Sequence, residues 1–109
     1  MKTYKSVLTE SITAGADVVK NRFSGFDGNY ASAGTKALGV FELDTDSGQQ
    51  APVIVYGIAI VETAGAISVG GAVEVGTDGK ALAHNTGEIN GYALDAATAS
   101  GDLIRIKLV

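Results

Sequence analysis

Two short stretches of the chain approach the spacing of ligand-binding motifs. The loop that begins at Asp44 carries alternating aspartates like an EF-hand calcium loop. However, Gly48 occupies the third ligand position, and Val55 occupies the distal position that needs a bidentate glutamate. Gly79-Lys80-Ala81 approaches the P-loop, but the motif requires a hydroxyl residue after the lysine, and Glu74 replaces its first glycine. Both stretches are therefore predicted to be turns, and no metal or nucleotide cofactor is expected.

Side chains suited to catalysis are scarce. His84 is the single histidine, and the chain has no cysteine, which excludes mechanisms that need two imidazoles or a thiolate nucleophile. No serine lies in the Gly-x-Ser-x-Gly turn that exposes an activated nucleophile. The twelve acidic residues fall mostly at predicted turns and strand ends, where a small β-domain needs them for solubility. The chain is therefore predicted not to be an enzyme.

A covalent carrier is the remaining chemical alternative. Lipoyl and biotinyl domains are small β-structures with two quasi-symmetric halves, and they present a modifiable lysine at a hairpin tip. Lys80 lies just after a predicted turn, but Gly79 separates it from Asp78, unlike the Asp-Lys-Ala pattern of those domains. An adduct on Lys80 in the intact mass would establish this alternative, and an unmodified lysine is the favoured interpretation.

Length and charge exclude further classes. A chain of 109 residues predicts one domain with a modest core. Eight basic and twelve acidic residues give a net charge of −4 and a pI near 4.7. Because the basic residues are scattered, no electropositive stripe for nucleic acid is expected, and binding to a membrane surface is disfavoured. The first residues lack the apolar segment of a signal peptide, so we expect a protein that is used without secretion.

The elements that must position these side chains are predicted to be strands. Val53–Val61 is uncharged and contains six β-branched residues, so it is predicted to be a strand buried on both faces. Long segments with helical periodicity are absent, and fifteen glycines fit many tight turns. The fold class is therefore all-β. The other predicted strands are Tyr4–Ile12, Val18–Ser24, Asn29–Ala33, Ala37–Leu43, Gly70–Val75, Lys80–His84 and Leu103–Val109.

The two halves of the chain carry the same order of turn motifs. Thr13-Ala14-Gly15-Ala16 recurs as Thr63-Ala64-Gly65-Ala66, and Gly25-Phe26-Asp27-Gly28 matches Gly76-Thr77-Asp78-Gly79 at a spacing of 51 residues. This order predicts a supersecondary unit of about 50 residues that is used twice. We expect a small pseudo-symmetric β-barrel or sandwich of roughly eight strands. Its predicted parts are an N-terminal arm with the first strand (1–12), a first repeat (13–61) and a second repeat (62–109).

Aromatic residues concentrate around the first predicted hairpin. Phe23, Phe26 and Tyr30 are three of the seven aromatics, whereas the second hairpin has Glu74, Thr77 and Ala81 at the matching places. Filling of the local core explains such a group in most cases. Phe26 occupies a turn position that is hard to bury, so we expect it to contact another chain, and we expect this less strongly for the other two.

Several turn-and-strand stretches together match a known family. They are Gly39-Val40-Phe41, Gly57-Ile58-Ala59, Val75–Ala81, Gly91–Ala97 and Ser100–Ile106, in addition to the Thr-Ala-Gly-Ala turn. Over most of its length the chain resembles the small capsid cement, or head decoration, proteins of tailed phages. The matching stretches are not catalytic signatures, and the resemblance brings over no catalytic, metal or cofactor residue.

The resemblance implies a β-rich structural protein of the virion, made in the host cytoplasm. Such a protein adds to the outer surface of the expanded head and clamps neighbouring subunits of the major capsid protein. The resemblance also implies a homo-oligomer, with a trimer favoured. We expect the segment Met1–Lys5, with Lys2 and Tyr4, to extend and pair with a neighbour's sheet. The alternative is a binding module of a phage fibre or adhesin that recognises a host glycan, although the tryptophan usual in such sites is absent.

Overall fold

The structure is a computed structural model that describes residues 2–109. Eight strands form one sheet that curls into a nearly closed barrel. A short 3₁₀ turn at Thr77–Gly79 joins the fifth strand to the sixth. Residues 2–109 contain no α-helix. The strands are β1 (Lys5–Thr13), β2 (Phe23–Ser24), β3 (Gly39–Phe41), β4 (Gln50–Glu62), β5 (Ala72–Val75), β6 (Ala81–Ala83), β7 (Gly91–Ala93) and β8 (Leu103–Leu108). The predicted all-β class and number of strands are confirmed.

The long strand β4 is the centre of the sheet. The strand order is β2-β3-β4-β8-β7-β5-β6, and β1 pairs with β4 off this path. Ile54 of β4 has both Thr9 of β1 and Val40 of β3 as partners, so these two strands lie on opposite sides of β4. The C-terminal part of β4 pairs with β8. Every ladder between the named strands is antiparallel, as short connections between successive strands favour.

One pairing pattern occurs twice in this sheet. Residues 9–13 pair with residues 50–54, and residues 58–62 pair with residues 103–107 in the same antiparallel register. Reciprocal backbone hydrogen bonds join Val18 to Thr45 at 2.9 Å, and Ile67 and Ala97 are joined in the same way at 2.9 and 3.0 Å. We name residues 9–54 the N-terminal unit and residues 58–107 the C-terminal unit. The predicted duplication of the sequence stays a prediction.

Two clusters of buried side chains form the core, and the larger one joins the two units. The larger cluster draws on both units and includes Phe23, Ile104 and Ile106, each 0% exposed. Burying one side chain of this size stabilises the fold by about 1.5–3 kcal/mol. The smaller cluster lies within the N-terminal unit and consists of Ala14, Val18, Phe41, Ala51 and Val53. The core therefore follows the strands rather than the loops.

The segment Val53–Val61 is a strand, as predicted, but the prediction that it is buried on both faces is wrong. The strand begins three residues earlier and ends one residue later than predicted. It is not buried on both faces, because the Tyr56 side chain is 52% exposed. The run of apolar residues reflects a strand that has partners on both edges for part of its length, but whose middle lies at the surface.

Two further predicted strands need correction, and one observed strand was not predicted. The predicted strand Val18–Ser24 shrinks to β2, because Asn21 adopts a φ of 67° that interrupts an extended chain. The predicted strand Asn29–Ala33 is a loop that touches β2 through a single bridge between Tyr30 and Ser24. The strand β7 was not predicted, since its three residues are too few to show alternation.

Gly57 allows β1 to cross β4 closely. The register between the two strands slips at Val7, which has no partner in β4. Gly57 has a φ of 112°, and a Cβ atom there would lie 2.3 Å from the carbonyl oxygen of Lys5. A side chain at this position is therefore excluded both by the backbone conformation and by the contact. The slip leaves Val7 in solvent, 81% exposed.

Candidate binding surface

The residues considered for chemistry take part in structural contacts. Lys80 directly follows the turn between β5 and β6, and its ammonium lies 3.5 Å from the Glu62 carboxylate. Asp44 accepts a backbone N–H bond at 2.9 Å, and the His84 ring nitrogen lies 2.9 Å from the Gly87 carbonyl oxygen. Among residues 2–109, no group of three or more histidine or acidic side chains could hold a metal ion. In the same part of the chain, no helix is long and apolar enough to cross a membrane.

Two of the predicted contact residues belong to the protein's own interior. Phe23 is 0% exposed and lies in the larger core cluster, so its side chain is not available to a partner in this fold. Tyr30 packs against the smaller cluster, and its hydroxyl accepts the backbone N–H of Val19 at 2.9 Å. The Tyr30 ring also meets Phe41 edge to face, with 6.2 Å between the ring centroids. For these two aromatics the explanation by local core filling is the one the structure supports.

Phe26 has the opposite environment. It lies at the tip of the same hairpin, two residues beyond β2, and its side chain is 68% exposed. Asp27 fixes the tip by accepting the backbone N–H of Asn29 at 3.0 Å, and this bond holds the pKa of the Asp27 carboxyl below its usual value. A large apolar side chain is thus held in solvent on a rigid turn, as expected for a contact residue.

The predicted N-terminal contact residues lie along the protein's own surface. The Lys2 ammonium donates to the carbonyl oxygen of Leu103 at 2.8 Å. The pKa of Tyr4 is raised because its hydroxyl bonds to the Glu42 carboxylate, which also repels the phenolate. Lys5 is the first residue of β1 and has Ile58 as its partner in β4. Met1 lies outside the described residues. The segment 2–5 therefore follows the barrel in the isolated chain.

Strand β1 is the most exposed element of the fold. Eight of its nine residues are exposed, and Ile12 is half-buried. Within the described residues, β4 supplies all the strand pairing of β1. Its other edge therefore presents free backbone N–H and C=O groups to solvent. Such an edge is a template for another strand.

A shallow apolar depression lies at β4, on the side of this strand that faces β3 and β8. It has a volume of about 260 Å³ and is lined mainly by Phe26, Lys36, Leu38, Val55, Tyr56 and Val109. Tyr56 pairs with Leu8 of β1, which lies on the other side of β4 from the depression. The Lys36 ammonium donates to the carbonyl oxygen of Ile89 at 2.8 Å and to Val109 at 3.1 Å. The single charged group of the lining is thereby engaged within the protein.

A larger hollow lies at loops of the N-terminal unit, and the carboxylates that line it have structural roles. It measures about 460 Å³ and is lined by Asp17, Asp44, Asp46 and neighbouring residues. Asp17 accepts the backbone N–H of Ser47 at 2.9 Å, and Asp44 likewise accepts that of Lys20. These carboxylates join two loops of the N-terminal unit. We therefore favour the smaller depression as the binding surface, since its exposed groups are apolar.

Sequence reasoning missed most of this surface. Val7 and Leu8 were placed in a half-exposed strand, but nothing in the local pattern distinguishes a free edge from a paired one. Tyr56 lies inside an apolar run that predicts burial. Two signals were usable. Phe26 occupies a turn position that is hard to bury, and an isolated glycine in a strand, here Gly57, often marks a bulge or the close approach of another backbone.

The comparison with protein families supports the structural interpretation. A family model described as phage cement protein matches residues 1–108. The chain belongs to the phage cement protein family. This family consists of structural phage proteins rather than enzymes, so the cement protein described here is a capsid-associated component of the virion. The resemblance drawn from the turns and strands is confirmed.

A solved structure has the same fold as this cement protein. It is the head fiber gp8.5 N base of bacteriophage phi29, which superposes with a TM-score of 0.77. The two sequences are 23% identical, and the match covers 94% of this chain and 93% of the other. At this identity the likeness concerns the fold. No curated protein sequence matches the chain.

Proposed function

We propose that this protein binds the outer surface of the expanded phage head and stabilises the contacts between major capsid protein subunits. The observation that carries the proposal is the family match, which spans residues 1–108. The structure adds support, because the protein displays an apolar surface around Phe26 and Tyr56 without any cluster suited to metal binding among residues 2–109. A decoration protein needs such a contact surface and no reactive group.

The charge of the protein suits this position. A net charge of −4 disfavours binding to the packaged genome. Many copies on one shell bind in a multivalent manner, so each contact can be modest while the assembly is strongly stabilised. A shell under pressure from its genome gains most from proteins that bridge separate subunits.

Self-association is the second part of the proposal. We infer that the protein acts as a homo-oligomer, with a trimer favoured, as the resemblance to phage decoration proteins implies. Exposed apolar side chains outside the depression, such as Leu43 at 57% and Val69 at 66%, provide surface for such contacts. Sedimentation velocity of the free protein at several concentrations tests this part.

The N-terminal arm remains a separate prediction. Lys2 and Tyr4 bond weakly to the protein's own surface, so the arm could exchange these exposed bonds for a neighbour's sheet. Removal of residues 1–5 should then lower the number of copies bound per head while leaving the barrel folded. If the truncated protein occupies the head to the same extent as the full chain, the arm does not contribute to binding.

Co-sedimentation with empty heads of the cognate phage tests the function. The proposal predicts saturable binding to expanded heads, little binding to unexpanded heads, and a simple ratio to the major capsid protein. Absence of binding to both forms would overturn it. Binding to host cells in that case would favour the fibre or adhesin alternative.

A further inference from the structure

The edge of β1 that faces away from β4, here called the outer edge, is open from Lys5 to Ser11. Within residues 2–109, no ladder, bridge or backbone hydrogen bond engages it over this stretch. Beyond it, Gly28 packs against the carbonyl oxygen of Thr13 and covers the end of the strand. The short strands β2 and β6, which end the path of the sheet, are each covered by an isolated bridge. The outer edge of β1 is therefore the open edge of this fold.

The hydrogen bonds of β4 show which backbone groups of β1 reach the outer edge. The N–H of Glu42 donates to the carbonyl oxygen of Pro52 at 3.0 Å, so the backbone groups of Pro52 face β3 and not β1. Its partner in β1 is Ser11, and two residues earlier Thr9 holds the equivalent position opposite β4. In an antiparallel ladder such residues turn their own N–H and C=O groups away from the partner strand. Ser11 and Thr9 thus present both groups at the outer edge.

Ser6 presents its backbone groups at the same edge. The carbonyl oxygen of Lys5 and the amide nitrogen of Val7, on either side of Ser6, both approach Gly57 of β4. The groups of Ser6 between them therefore point away from β4. In a regular strand, residues that share a direction are an even number apart, but Val7 is an extra residue in this ladder. As a result Ser6 and Thr9, three residues apart, both face outward.

This spacing makes β1 complementary to a second copy of itself. Two antiparallel β1 strands can bond when Ser6 of one copy stands opposite Thr9 of the other. In that register Lys5 stands opposite Glu10, and the two-fold symmetry of the contact produces each pair twice. Opposite charges that face each other across two strands stabilise the pair. Neither Lys5 nor Glu10 forms a salt bridge with another residue of the described chain, so both charges are available.

The centre of the same register brings apolar side chains together. Val7 and Leu8, 81% and 42% exposed in the single chain, stand opposite each other on the two sides of the symmetry axis. A register with Ser6 opposite Ser11 also aligns outward backbone groups. It sets Glu10 against Val7, however, and loses the charge pairs. The side chains of β1 thus fit one particular pairing with a second copy.

We propose that two copies of this protein join through an antiparallel pair of β1 strands, in the register that sets Lys5 against Glu10. One strand pair buries less than the roughly 1,200–2,000 Å² of a stable interface, so the contact is weak in dilute solution. It gains strength where copies are held close together, as on a head. A trimer built through another surface would be joined in pairs by this contact. The inference rests on the proposed self-association and names its surface.

Charge-reversal variants test the inference by sedimentation velocity, from micromolar to roughly millimolar protein. Lys5→Glu and Glu10→Lys each place like charges opposite each other, and each should lower the association constant about tenfold. The double variant Lys5→Glu/Glu10→Lys restores the opposite charges and should associate like wild type. Lys20→Glu and Glu88→Lys make the same changes in net charge at exposed residues outside β1, and they should associate like wild type.

A mixture of the two single variants gives a second test of the register. In a pair formed by one Lys5→Glu chain and one Glu10→Lys chain, opposite charges meet on both sides of the axis. The equimolar mixture should therefore recover association that neither variant shows alone. An equimolar mixture of Lys20→Glu and Glu88→Lys has the same net charges and controls for long-range attraction. It should associate no more strongly than either control variant alone.

The outcomes separate the β1 pair from the proposed function. Wild-type association that all the variants share equally overturns the β1 pair and leaves self-association in place. Loss in the single variants without recovery in the double variant or the mixture overturns the proposed register. Wild-type protein that stays monomeric at the highest concentration contradicts both the β1 pair and the proposed self-association. Co-sedimentation with heads judges capsid binding separately in each case.

Discussion

The N-terminal and C-terminal units share one pairing pattern but differ in what covers their first strand. In the N-terminal unit this strand is Thr9–Thr13 of β1, and in the C-terminal unit it is Ile58–Glu62 of β4. All but one of the first five residues are exposed, whereas Ala59 and Val61 of the second are 0% exposed. The same ladder is thus a surface in one unit and part of the core in the other.

Strand pairing and side-chain burial therefore depend on different features of the sequence. The two strands read Thr-Glu-Ser-Ile-Thr and Ile-Ala-Ile-Val-Glu. Both keep the antiparallel register, since register depends on backbone bonds and turns. Only the second has apolar side chains on the face that meets Ile104 and its neighbours in the core. The polar side chains of the first strand keep an open edge soluble.

The largest expected effect concerns the aromatic hairpin, which only the N-terminal unit has. Phe23→Ala should reduce the free energy of unfolding by about 3–5 kcal/mol, because it leaves a cavity in the core. Phe26→Ala should change it by about 0.5 kcal/mol or less, because this side chain is in solvent. Urea unfolding of both variants measures the contrast. Equal effects would show that the two aromatics do not divide into core and surface roles.

The junction between the units gives the next largest effect. Gly57→Ala should destabilise the protein by about 1–3 kcal/mol, because a strained φ and a contact with the Lys5 carbonyl oxygen both oppose the side chain. Gly101→Ala is the control, since Gly101 has a φ of 93° but no atom within 4 Å of a new Cβ. Chemical denaturation should rank Gly57→Ala clearly below Gly101→Ala. The reverse order would mean that β1 does not cross β4 as described.

A double substitution sharpens the comparison between the first strands. Glu10→Ala with Ser11→Ile gives β1 the residues that the C-terminal unit has at Ala59 and Ile60. The free energy of unfolding should change by about 0.5 kcal/mol or less, because these positions gain no burial. The more apolar edge should instead promote aggregation beyond a dimer, which light scattering detects. Ser68→Ile, at an exposed loop residue, controls for added apolar surface and should remain dispersed.

The smallest effect is the acid dependence that Asp95 contributes to the C-terminal unit. Arg105 makes a bidentate contact with Asp95 at 2.9 and 3.0 Å and so lowers the pKa of this carboxyl far below its usual value. A lowered pKa stabilises the fold fully above the unfolded value of roughly 4 and progressively less below it. Asp95→Asn should therefore reduce the drop in melting temperature between pH 5 and pH 2. An identical drop in wild type and variant would contradict this assignment.

The sequence predicted those elements whose evidence is local. The alternation in Leu103–Val109 identified β8, and Asp78-Gly79 identified the turn between β5 and β6. Burial of Phe23 was not predictable from its neighbours, because it depends on pairing with Val40, far along the chain. The exposure of Tyr56 and of β1 was missed for the same reason. Exposure of Tyr56 and β1 follows from which strands do not cover them, and short-range patterns carry no signal for that.

Hydrogen–deuterium exchange of the protein, free and self-associated, tests the central claim most directly. In the free protein, we expect fast exchange for the backbone amides of residues 5–13 that point away from β4. We expect slow exchange for the backbone amides of residues 58–62. Self-association should slow exchange in residues 5–13 and leave residues 58–62 unchanged. Self-association that protects other regions while exchange in β1 stays fast would contradict the assignment of β1 as the strand that joins two copies.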